Sequence, residues 1–177
     1  PAAGVGASLA LACDVVLASD KGYFMLAFTK IGLVPDGGAS ALVAAAVGRI
    51  RAMRMALLAG KIHAEEAFQA GLVTAVYPAD ELDAATGNVV ATLVRGPVVA
   101  LAKTKDAINA TTLAELEAAL AREHAGNGAP PTSPTPDCPA EQTQNRIVWP
   151  VFVRVCVCSP EKNSVDATVS GQRPSIV

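Results

Sequence analysis

Aromatic residues are scarce in this chain, at 4% of 177 positions. A core cannot be built on stacked rings here, so it must close through small aliphatics, mostly alanine and valine. No apolar run reaches the roughly 18 residues that a membrane span requires. Charge is scarce as well, and the net charge is only −2. That excludes the basic footprint of a nucleic-acid binder and the acidic tail of a solvating segment. The N-terminal stretch is apolar, but it has no basic flank and carries Asp14 and Asp20. It does not read as a signal peptide. There are four cysteines, Cys13, Cys138, Cys156 and Cys158. They are too few, in too long a chain, for a disulfide scaffold, and a reducing cytoplasm is the expected setting. Cys156-Val157-Cys158 lacks a second ligand pair, so no metal site is expected. The chain opens on Pro1 with no initiator methionine, which predicts a piece of something longer.

Length alone suits one domain, but composition divides the chain. Residues 1–125 hold 32 of the 35 alanines, whereas residues 126–177 hold eight of the 12 prolines and three of the four cysteines. The second segment begins as a Pro/Thr/Ser/Gln stretch without periodicity and continues as a short β-prone run that Pro160 ends. It is read as a tail unrelated to what precedes it. A flexible extension, a small appended module and an out-of-frame C-terminus all fit, and the abruptness of the break favours the last.

Periodicity places coarse elements over residues 1–125. A helix is expected at Ser8–Cys13, opened by Gly4-Val5-Gly6, with strands at Val15–Ala18 and Tyr23–Leu26. The turn Pro35-Asp36-Gly37-Gly38 feeds a helix over Ala39–Val47, buried on most sides. The next helix, Arg49–Ala59, should align Ile50, Met53, Ala56, Leu57 and Gly60 along one face. Ala64–Ala70 should be a short helix closed by Gly71, followed by a strand at Val73–Tyr77. Three helices complete the pattern, at Ala79–Val94, Pro97–Ile108 and Leu113–Ala125. A layer of strands followed by helices predicts an α/β fold with a helical subdomain.

Gly4-Val5-Gly6 before a helix leaves backbone N–H groups pointing outward, where the helix dipole favours negative charge. Alone, the pattern equally describes a tight turn that packs a helix on a sheet. It is not a dinucleotide fingerprint, because the third glycine and the following βαβ order are absent. Asp36 is equally an N-cap and a candidate acid/base group. His63 reads as a surface cap, and Glu65 and Glu66 as first-turn acids. Arg49, Arg51 and Arg54 read as a solvated helix face.

Downstream landmarks add specificity. They are the C-D-V-V strand, the A-F-T-K-I-G-L-V-P-D-G-G segment, V-G-R at a helix start, and A-E-E-A-F-Q-A-G-L-V. With the glycine turn, they make residues 2–78 similar to the crotonase (enoyl-CoA hydratase/isomerase) family, and the similarity fades towards Glu123. The resemblance implies a truncated crotonase-like ββα core followed by a helical subdomain, with the family's N-terminal half missing. It implies an acyl-CoA thioester as substrate. Coenzyme A would be part of that substrate, with no separate cofactor.

The resemblance makes the Val5 N–H one of two oxyanion donors, with Gly4 and Gly6 shaping the turn. The second donor belongs to an N-terminal segment. Family hydratases place two glutamates where this chain has Ser8 and Phe28, so water addition by that route is not expected. Asp36 matches the proton-shuttling aspartate of the family's isomerases, with Phe28 and Leu33 as an apolar wall sheltering the enolate. Two classes follow. The chain is part of an isomerase completed by a complementing N-terminal chain, or it is an inactive remnant that only binds partner subunits. Trimers, or hexamers of two trimers, are what the resemblance implies.

Overall fold

The computed structural model describes residues 1–128 and 155–158. Strand β1 is Ala2–Ala3, and helix α1, Val5–Leu11, follows it directly. Its inward positions are Ala7, Ser8 and Ala10, all buried. Side chains this small let α1 lie close against its neighbours. Strand β2, Val15–Ser19, is β-branched at its start and buried over its last four residues. A tight turn then reverses the chain. Asp20 Oδ1 accepts from the Ser19 hydroxyl at 3.0 Å and from the Lys21 N–H at 2.9 Å. Gly22 is required there, since a Cβ would stand 2.9 Å from the Ser19 carbonyl oxygen.

Strand β3, Tyr23–Met25, leads into a 3₁₀ turn at Phe28–Ile31. Helix α2, Ala39–Leu58, is two helical halves that meet at Gly48, whose φ of 76° and ψ of 162° break the ladder. The two helices expected here are thus found, end to end. Their faces differ from expectation. The first half is buried on one side only, through Ala39, Leu42 and Val43. In the second half Met55 is the buried residue, whereas Ile50 is 76% and Leu57 65% exposed. In a run this rich in Ala, Met and Leu several stripes satisfy the helical period, and the break at Gly48 decides which one faces inward.

Strand β4 (Ile62–His63) and helix α3 (Ala64–Gln69) come next. Gly71, at φ 79°, closes α3. The Gly71 N–H reaches the Phe68 carbonyl and the Leu72 N–H the Ala67 carbonyl, the paired bonds of a Schellman motif. His63 stands exposed at the N-cap of α3 and makes no side-chain capping bond. Glu65 and Glu66 occupy the first turn. Arg54 pairs with Glu66 at 2.6 Å in the open, while Arg49 and Arg51 are exposed beside it. Strand β5 is Ala75–Tyr77.

Helix α4 (Leu82–Arg95) starts later than its pattern suggests, because Pro78–Glu81 forms a turn in which the Glu81 and Leu82 N–H groups bond the Pro78 carbonyl. Helices α5 (Val98–Thr112) and α6 (Leu116–Gly128) complete the series. The last runs past the composition break at Ala125. Four residues of the segment set apart by composition form strand β6, Val155–Cys158. Residues 129–154 and 159–177 of that segment, including Cys138, lie outside the described residues.

The strands make two small sheets, ordered β1-β3-β4 and β5-β2-β6. β1 and β3 run parallel, and β4 joins them antiparallel. β2 is parallel to both its neighbours. The α/β class expected from the sequence is what is found. Phe24, Leu26, Phe28, Val43, Met55 and many alanines form the main core between sheets and helices. No single helix among the described residues is long and apolar enough to cross a membrane.

Candidate active site

The glycine turn is anchored at the end of β3. The Gly4 N–H donates to the Met25 carbonyl at 2.9 Å, and the Gly4 carbonyl accepts from Ala7 and Ser8 N–H at 2.9 and 3.2 Å. Gly4 adopts φ 53° as the N-cap, a conformation that favours glycine. Its carbonyl is thus committed to the helix. The N–H groups of Val5 and Gly6 belong to the first turn and have no acceptor within it. They lie at the positive end of the helix, in open surroundings: Val5 is 52% exposed, and a Cβ at Gly6 would meet nothing within 4 Å. Both groups thus stand where the helix dipole is positive.

Ser8, one turn further, is fully buried. Its hydroxyl donates back to the Gly4 carbonyl at 3.5 Å. The Asp36–Gly38 turn packs on it so closely that a Cβ at Gly37 would be 3.1 Å from Ser8 Cβ. Gly37 and Gly38 have φ of 71° and 81°. These two left-handed residues bend the chain onto α1 before α2 begins.

Asp36 is exposed, and its Oδ1 accepts from the Gly37 N–H at 2.7 Å. It is not the N-cap of α2; Gly38 is. The first-turn donors of α2 are served instead by Glu123 of α6. Its carboxylate takes the N–H of Gly38 at 2.7 Å, the N–H of Ser40 at 2.9 Å and the hydroxyl of Ser40 at 2.5 Å. At 2% exposure Glu123 is the one charged side chain buried in the core among the described residues. Sequence reasoning missed this role. The available signal was an acid on the stripe Leu116, Ala119, Glu123, whose other members are buried.

The segment before Asp36 is clamped by the same helix. The Val34 N–H reaches Asn127 Oδ1 at 2.9 Å, and Asn127 Nδ2 reaches the Val34 carbonyl at 3.2 Å. Phe28 and Leu33 take different places: Phe28 joins the main core, and Leu33 is 43% exposed. The 3₁₀ turn at Phe28–Ile31 and left-handed Gly32 separate their directions. Neither residue lines the cavities of about 200 and 660 Å³. The larger cavity opens at the far end of α1, between α1, α4, α5 and α6. There Lys105 Nζ meets Asp14 Oδ2 at 2.7 Å. Asp20 belongs to the turn after β2 and takes no part. No cluster of three His, Cys, Asp or Glu suited to a metal ion occurs among the described residues.

A family model described as enoyl-CoA hydratase/isomerase matches residues 1–131. A protein named "Probable enoyl-CoA hydratase" from Rhodobacter capsulatus is 47% identical over 122 residues, covering 69% of this chain and 48% of that protein. The 1,2-epoxyphenylacetyl-CoA isomerase of Escherichia coli K12 is 37% identical over 119 residues, covering 67% of this chain and 45% of its own length. A solved enoyl-CoA hydratase from Mycobacterium avium subsp. paratuberculosis K-10 superposes with a TM-score of 0.70 at 71% identity, over 71% of this chain and 51% of that one. The chain spans about half the length of the curated relatives it matches.

Proposed function

The chain belongs to the enoyl-CoA hydratase/isomerase family, and from that premise we propose that it carries part of a site that moves the double bond of an acyl-CoA thioester through an enolate. One observation carries the proposal. The Asp36 turn packs on the helix that Gly4 opens, and the cap role that would have occupied Asp36 is filled by Glu123. A carboxylate with an uncommitted oxygen and an anion-accepting turn therefore lie on contacting segments.

The chemistry follows from these groups. The Asp36 carboxylate takes a proton from the carbon that becomes acidic beside the conjugated thioester. The electron pair moves to the thioester oxygen, where the Val5 N–H and the helix dipole stabilise it. Asp36, now protonated, returns the proton at the other end of the conjugated system. Nothing is consumed and no resident cofactor takes part, because coenzyme A is the substrate's own handle. The second oxyanion donor is assigned by resemblance to a segment N-terminal to this sequence. The activity is therefore proposed for the completed domain, with a complementing N-terminal half supplied on the same or another polypeptide. Assembly into trimers or hexamers of the completed domain is part of the proposal. So is a cytoplasmic setting, which suits Cys13, Cys156 and Cys158 standing outside any disulfide.

Hydration is the second reading, and the hydratase name of the 71% identical structure favours it. Against it, Ser8 and Phe28 stand where the resemblance puts the two water-activating glutamates. The test is co-expression of this chain with the N-terminal half of a relative's domain, followed by assays of double-bond migration and of water addition on an enoyl-CoA. Migration in the assembled pair, and none in the chain alone, is expected. Water addition as fast as migration would refute the isomerase reading. A correctly assembled pair without either activity would make the chain a binding remnant.

A further inference from the structure

Three thiols converge at the end of α1. Cys13 follows that helix and leads into β2. Cys156 and Cys158 alternate along β6, so both side chains leave the strand on one face. That face is the core: Cys156 is 0% and Cys158 8% exposed. Their sulfurs are 3.8 Å apart. Cys13 packs against the same buried cluster; its thiol reaches the Leu9 carbonyl at 3.6 Å and lies near enough to the Cys156 thiol to raise it. No disulfide joins any two of the three. β6 lies beyond the residues 1–131 that match the family, yet it is in register with β2 from Val15↔Val155 to Ala18↔Cys158. Cys13 also lines the cavity of about 660 Å³, which gives a small oxidant a route to it.

We propose that Cys13 and Cys156 form a reversible disulfide, with hydrogen peroxide as the oxidant, that clamps β6 onto the family domain. The Cys13 sulfur attacks one peroxide oxygen and the O–O bond breaks, leaving a sulfenic acid and one water. The Cys156 sulfur then attacks the Cys13 sulfur. The S–S bond forms, the S–O bond breaks, and hydroxide leaves with the Cys156 proton as a second water. Two thiols lose two electrons and two protons, and one peroxide becomes two waters. A thiol reductant reverses the link by exchange.

The partner choice follows from geometry. Cys156 and Cys158 are neighbours on one extended strand, where alternate Cα atoms are roughly 6.6 Å apart, close to the upper limit for a disulfide. Bridging them would pinch β6 out of its ladder. Cys13 comes from a separate element and needs no such distortion of the strand. Hydrogen bonds with Cys13 and Cys158, and then burial, push the Cys156 thiol up. The Cys158 thiol is lowered by its hydrogen bond with Cys156 but is buried as Cys156 is, whereas Cys13 is partly exposed at the cavity wall, so the first encounter with peroxide falls to Cys13.

The test treats the reduced full chain with hydrogen peroxide and maps linked peptides without reduction. Cys156 and Cys158 share a tryptic peptide, so Cys156→Ser and Cys158→Ser are mapped beside the wild type. The Cys13-to-β6 link is expected in the wild type and in Cys158→Ser, and absent in Cys156→Ser. It should form at least about ten-fold faster in the native chain than in strong urea, because the fold holds the sulfurs together. Hydrogen exchange at 155–158 should slow on oxidation and recover with dithiothreitol. A link to Cys138, a link confined to Cys156 and Cys158, recovery of only free thiols, or equal rates in urea would each overturn the proposal.

Discussion

Glu123 accepts the N–H of Gly38 at 2.7 Å across 85 residues of chain. With Ser40 as its second partner, that carboxylate ties the last described helix to the start of α2. It also fixes the geometry of the turn that presents Asp36. Replacing Glu123 by alanine should leave buried first-turn donors unserved and lower stability by about 2–4 kcal/mol. Urea unfolding of the assembled protein reads this directly, and an unchanged midpoint would show that the cap is dispensable.

Gly37 sits at φ 71° with its missing side chain facing Ser8 at 3.1 Å. Gly37→Ala combines left-handed strain with a close contact. It should cost about 1–3 kcal/mol and push the Asp36 turn away from α1. Activity of the completed domain should then fall at temperatures where the variant is still folded. Retention of full activity would show that contact between the two segments is not needed.

Asp36→Asn keeps the shape of the turn and its acceptor for the Gly37 N–H, but removes the base. Double-bond migration by the completed domain should fall by about 10²–10⁴ in kcat, with little change in unfolding midpoint. Migration that survives this change would end the proton-shuttle assignment.

Ser8→Glu tests whether a hydratase carboxylate could simply be restored. Ser8 is fully buried and Gly37 fills the space beside it. A longer, charged side chain should cost about 1–3 kcal/mol through overpacking and should not create water addition. A gain of hydration without loss of stability would mean that the Gly37 turn yields easily.

Lys105 and Asp14 make a partly buried ion pair, with side chains 10% and 22% exposed. Helix α5 buries no residue of its own, and this pair joins it to the segment before β2. Lys105→Met should cost about 1–3 kcal/mol and raise hydrogen exchange across α5 first. Uniform exchange in all helices would show that α5 is held by something else.

Much of this was legible locally. Gly4, Gly37, Gly38 and Gly71 all adopt positive φ, and their placement beside helix ends marks turns without reference to the rest of the chain. The apolar stripe Leu82, Ala85, Val89 and Leu93 also marks the inward face of α4 from the sequence, and Leu82, Val89 and Leu93 do lie in one cluster. The face of the second half of α2 was not legible. Its composition allows several stripes, and Met55 rather than Ile50 or Leu57 won the core. The split between Phe28 and Leu33 depends on how one 3₁₀ turn closes.

The glycine turn at Gly4, the P-D-G-G turn and the family motifs around them were determined by the sequence itself, because each rests on backbone preferences spanning only a few residues. Tertiary structure alone decided that Glu123 caps α2, that Gly37 touches Ser8, and that β6 lies beside β2. These are meetings between residues far apart in the chain. Burial and hydrogen-bond satisfaction choose them only after the elements have packed, and no local period encodes them.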